Sequence, residues 1–125
     1  MKVSISPYVF PGLKDLNEYK KKHKFYRDRM TREEVLSIVS KSCGVTVNMI
    51  VSRCRERKSV DARYMFIAMM RSEFGYSLKE IGNMLNRDHT TILHALNTYH
   101  DRCLVYKDYH DVSKNILNEI KLNLQ

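Results

Sequence analysis

The sequence predicts an all-α protein: a helical bundle carrying a helix-turn-helix, preceded by a basic N-terminal extension. Apolar residues recur at intervals of three and four along most of the chain. Polar side chains stand as helix N-caps at Thr31, Ser77 and Asp88. Of only four glycines, Gly44 and Gly75 fall where helices are expected to stop. At 43% hydrophobic residues, 125 residues are enough for one real core. The expected division is an extension over 1–30 and a helix-turn-helix domain over 31–125.

Taken in order, Met1 to Phe10 reads as an extended segment, because Pro7 and Pro11 disfavour a helix there. From Gly12 onward Leu13, Leu16, Tyr19 and His23 recur at helical spacing, with acids early and the basic run Lys20 to Arg29 late, as the helix dipole prefers. Thr31-Arg32-Glu33-Glu34 is a capping box, and its helix presents Val35, Ile38 and Val39 before stopping at Gly44. A short helix is expected from Thr46 to Cys54. Arg53 to Lys58 reads as a basic loop, and a buried helix runs from about Val60 to Phe74.

Ser77-Leu78-Lys79-Glu80 is a second capping box, opening a helix that ends near Leu85, where Asn86 tolerates the left-handed conformation. Asp88 then caps a helix from His89 to about Arg102. It turns Ile92, Ala95, Leu96 and Tyr99 inward and His89, Thr90, His94, Asn97 and Thr98 outward. Two helices joined by so short a turn form a helix-turn-helix, with Gly82 allowing close approach. A last helix, near Asp108 to Leu122, packs through Val112, Ile116, Leu117 and Ile120.

Composition narrows the function. The net charge is +8 and the pI near 9.5, which favours a polyanionic partner. The excess is uneven: residues 1–30 hold eight Lys/Arg against three Asp/Glu, 31–103 hold eleven against eight, and 104–125 three against three. Three unpaired cysteines and no apolar leader point to a reducing cytoplasm without disulfides. No apolar run approaches the roughly 18 residues that span a bilayer. No phosphate-cradling G-x-x-x-x-G-K-[ST] loop can be written, so an ATPase partner would be another chain. His100 and Cys103 share a helix face but lack the second pair a structural zinc needs. No nucleophile-base pair, paired carboxylate cluster or metal-ligand set appears at chemical spacing, so an enzyme is not expected.

The string Arg87-Asp88-His89-Thr90-Thr91-Ile92-Leu93-His94-Ala95 resembles the signature of the C-terminal DNA-binding domain of the bacterial replication initiator DnaA. The resemblance reaches back through Ser77 to Gly82, the helix Arg63 to Phe74 and the basic loop, over roughly residues 32–120. It implies a helical bundle whose helix-turn-helix binds double-stranded DNA. By that resemblance Asp88, His89, Thr90 and Thr91 read the major groove, Arg71 reaches DNA from the long helix, and Arg55 enters the minor groove, with Arg53 and Arg57 as competitors. Arg63, Lys58 and Arg87 complete the implied DNA-binding set. The turn Leu85-Asn86-Arg87 is one residue shorter than the family's Gly-rich turn, Cys54, Glu56 and Asp61 dilute the loop, and Tyr64 replaces a polar residue.

The side-chain chemistry fits those roles. Asp88 accepts from a cytosine amino group, His89 meets a purine edge, and the Thr90 methyl packs on a thymine methyl. Asp88 is also an N-cap, and the two roles coexist. The expectation is a DNA-binding accessory or regulator, a monomer on DNA, with replication proteins as a further class of partner. Two alternatives stand beside it: a dimeric transcription repressor, and a docking protein that uses the N-terminal segment and no longer binds DNA. The run Lys20 to Arg27 fits a phosphate-contacting arm, a partner dock or a solvated face. A chain lacking residues 1–30 is expected to keep its fold and bind DNA more weakly.

Overall fold

A computed structural model describes residues 16–124 and arranges them as seven helices. The extended segment expected over 1–10, and the Gly12 and Leu13 start of the first helix, lie outside the described residues. In chain order the helices are α1 (Leu16–Arg29), α2 (Arg32–Cys43), α3 (Val47–Val51), α4 (Arg57–Ser72), α5 (Leu78–Leu85), α6 (His89–Val105) and α7 (Lys107–Asn123).

Helix α4 is the axis of the bundle. Nine of its sixteen residues are buried, from Ser59 to Met70, and it packs against α2, α3, α5 and α6, while α7 closes over α2 and α6. It begins three residues earlier than the apolar pattern indicates, so Arg57 and Lys58 are helical. The Val60 N–H reaches the Glu56 carbonyl at 3.0 Å, and Arg57 is 3.3 Å from Asp61 one turn on. At the other end Gly75 takes φ 69°, which lets the Tyr76 N–H reach the Met70 carbonyl at 3.1 Å and ends the helix. The Thr31 capping box forms in full, with Glu34 N donating to Thr31 Oγ1 at 3.2 Å and Thr31 N to Glu34 Oε1 at 2.9 Å. Helix α3 is shorter than expected, because Ser52 already turns extended.

The basic run of α1 divides between two environments. Lys20, Lys21, Lys24 and Arg29 are exposed, but Lys22 is buried with its Nζ 2.9 Å from the buried Glu73 carboxylate. Burial drives both groups toward their neutral forms, lowering the Lys22 pKa and raising that of Glu73, against their mutual attraction. Beside them the Tyr26 ring packs edge-on against Phe74, and Arg27 donates to the Phe74 and Gly75 carbonyls at 2.6 Å each. Helix α1 is thus fastened to the corner between α4 and α5. No helix among the described residues is long and apolar enough to cross a membrane.

Candidate nucleic-acid interface

Both helices of the helix-turn-helix start on the side chains the sequence offers. Ser77 N donates to Glu80 Oε1 at 2.8 Å and Glu80 N to Ser77 Oγ at 3.1 Å, which holds the Glu80 carboxyl below its ordinary pKa. Helix α5 ends at Asn86 in the left-handed region, φ 55°, and the Arg87 N–H turns back to the Gly82 carbonyl at 2.8 Å. Gly82 is fixed by this turn rather than by a neighbouring helix. A Cβ there would lie 2.3 Å from the Arg87 carbonyl oxygen.

Asp88 caps α6, its Oδ1 accepting from Thr91 N at 2.9 Å, and that bond holds its carboxyl below the usual range. An ionised carboxylate has about four acceptor sites, so capping leaves it free to meet a base. His89, Thr90 and Thr91 are exposed on the first turn, while Ile92, Ala95 and Tyr99 anchor the opposite face in the core. Leu93 is 47% exposed and lies one turn beyond Thr90 and His89 on the same side. Leu93 does not stand out in the sequence. The signal was the register itself, because a helix burying positions 92, 95 and 99 must turn 93 outward.

The implied basic residues fall into two groups. Arg53, Arg55, Arg57, Lys58 and Arg71 are exposed. Arg55 has no hydrogen-bond or ion-pair partner among the described residues. Arg57 pairs with Asp61, which also binds Arg102, and Arg71 donates to the Tyr76 carbonyl at 3.1 Å while keeping its other N–H groups. Arg57 and Arg71 are fourteen residues apart on α4, roughly 20 Å at the helical rise.

Arg63 and Arg87 are different. Arg63 is buried, and its guanidinium donates to the carbonyls of Ile50 (2.7 Å), Met49 (3.0 Å) and Cys54 (3.0 Å). Its guanidinium is committed to the backbone of α3 and the loop instead of being presented to solvent as a DNA contact. Arg87 is half-buried and donates to the Leu85 carbonyl at 2.8 Å and to the Ser52 carbonyl at 2.7 Å. Burial lowers the pKa of both, and Arg53 beside Arg87 lowers it further. Arg53, Arg63 and Arg87 thus bring positive charge together where the loop meets the start of α6. Among the described residues no three His, Cys, Asp or Glu side chains gather to hold a metal ion.

Residues 32–98 match the family described as the bacterial dnaA protein helix-turn-helix. Similar curated proteins are the chromosomal replication initiator proteins DnaA of Bacteroides fragilis, 28% identical over 93 residues, and of Chloroflexus aggregans, 39% over 70. That of Herpetosiphon aurantiacus is 37% identical over 76 residues. The alignments cover 74%, 55% and 60% of this chain and only 20%, 15% and 16% of those proteins. The matched span runs from the first residue of α2 into α6 and contains the loop, the turn and the exposed residues Asp88 to Thr91. The chain belongs to the bacterial DnaA helix-turn-helix family.

Proposed function

We propose that the protein binds double-stranded DNA sequence-selectively, as an accessory or regulator resembling the DNA-reading part of the replication initiator. The observation that carries this reading is the exposed set Asp88, His89, Thr90 and Thr91 on the first turn of α6, in a chain that belongs to the helix-turn-helix family. In this reading α6 enters the major groove, where Asp88 accepts from a cytosine amino group, His89 meets a purine edge, and Thr90 and Leu93 offer apolar contact to thymine methyls. Arg55, which like Arg53 and Lys58 has no hydrogen-bond or ion-pair partner among the described residues, enters the adjacent minor groove, flanked by Arg53, Arg57 and Lys58. Arg71 meets a phosphate at the far end of α4. Phosphate contacts orient the protein and base contacts specify the site.

His89→Ala and Thr90→Ala are each expected to cost about 1 to 3 kcal/mol on the preferred duplex and little on random sequence. Fluorescence anisotropy with both duplexes measures this, and circular dichroism checks that α6 is intact. Equal losses on every duplex would remove these residues from base reading.

A further inference from the structure

Two guanidinium groups from different elements bond to one short segment of backbone. Between α3 and α4, residues 52–56 have little structure of their own: Ser52 N donates to the Asn48 carbonyl, and Cys54 N to Ser52 Oγ at 3.2 Å. From α4, Arg63 holds this segment through the Cys54 carbonyl and ties it to the end of α3 through the carbonyls of Met49 and Ile50. Arg87 holds it from the helix-turn-helix, 35 residues away in sequence, through the Ser52 carbonyl. Its other guanidinium nitrogen is on the Leu85 carbonyl, inside the turn that aims α6.

We propose that Arg87 is a positioning residue for DNA recognition: by spanning the carbonyls of Leu85 and Ser52, it fixes the basic loop relative to the N-terminus of α6. The inference rests on the proposed reading in which loop and helix touch adjacent grooves of one duplex. A reader with two such elements needs their separation fixed before binding, because ordering a loose loop at the moment of contact lowers affinity. Arginine suits the task and lysine does not. The planar guanidinium offers donors in a fixed fork that reaches two carbonyls at once, whereas an ammonium is a point donor on a flexible stem.

Arg87→Lys keeps the charge and removes the fork, so it separates clamping from charge. In the free protein, the Cys54 amide, bonded to Ser52 Oγ, should exchange hydrogen about tenfold faster in Arg87→Lys than in the wild type, with α6 protection unchanged. On DNA, discrimination at the base pairs read by the loop should fall from roughly tenfold per mismatch toward none, while discrimination at the α6 half persists. Adding Arg55→Ala to Arg87→Lys should reduce it no further, because both remove the same contact. Arg87→Gln should show the same slope of log affinity against log salt as Arg87→Lys, because both lose the clamp and the charge at position 87 itself meets no phosphate.

Three results would overturn the proposal: unchanged loop exchange in Arg87→Lys, a salt slope lower by about one in Arg87→Gln than in Arg87→Lys, or additive losses in the double variant. The second would make Arg87 a phosphate contact. A wild-type protein that favours no duplex would defeat the DNA-reading function instead, and the exchange measurement on the free protein would still decide whether Arg87 clamps the loop.

Discussion

Gly82→Ala is expected to destabilise the protein and to abolish selective DNA binding, although alanine is the better helix former. Helix propensity alone predicts a gain of about 1 kcal/mol for this change inside α5. Against it stands the carbonyl oxygen of Arg87, which a Cβ would approach to 2.3 Å. That atom is backbone, held in a turn closed by the Arg87 N–H on the Gly82 carbonyl and by Asn86 in the left-handed region. It cannot swing aside as a side chain does, so relief requires moving the start of α6. Overpacking of this kind costs about 1 to 3 kcal/mol, occasionally more, and exceeds the propensity gain. The displaced turn also carries Asp88 and the exposed residues after it away from the loop. Urea unfolding and duplex binding measure the two effects. A variant more stable than the wild type with undiminished selectivity would show that the turn is not constrained as described.

Lys22→Met is expected to lower stability by about 3 kcal/mol, because it leaves the Glu73 carboxylate in the core without its cation. The side chains are 4% and 0% exposed, so solvent does little to screen the loss. Pairing Lys22→Met with Glu73→Leu should recover much of the stability, since a buried ion pair replaced by apolar groups of similar volume is often near neutral. Midpoints of urea unfolding for the two variants check this, and a single variant within about 0.5 kcal/mol of wild type would contradict it. The same contacts revise the expectation for a chain lacking residues 1–30. That deletion strips Lys22 from Glu73, Tyr26 from Phe74, and Arg27 from two carbonyls of the α4–α5 corner. The shortened chain should be far less stable rather than merely a weaker DNA binder.

The parts legible in sequence were those governed by neighbours in the chain. The caps at Thr31, Ser77 and Asp88, the left-handed stops at Gly44, Gly75 and Asn86, and the inward stripe of α6 each depend on residues within a turn or two. What sequence did not reveal depends on partners far along the chain. A run of lysines looks alike whether solvated or not, and only the fold brings Glu73 to Lys22. Arg63 and Arg87 sit in a basic set that the family resemblance assigns to DNA, yet both meet backbone carbonyls, which carry no mark in the sequence. Gly82 was legible as a close approach, but the approaching group proved to be the turn following its own helix.

In the proposed reading one monomer reads an asymmetric site, with α6 in the major groove and the loop arginine in the minor groove beside it. Selection of bound duplexes from a random pool, followed by sedimentation of the complex on the winning sequence, tests it most directly. A recognition helix reaches about four or five base pairs, and a loop arginine favours the narrow minor groove of an A/T-rich stretch. The expected result is an asymmetric site of about nine base pairs, A/T-rich at one end, with one protein per duplex. A palindromic site carrying two proteins would contradict it and identify a dimeric repressor.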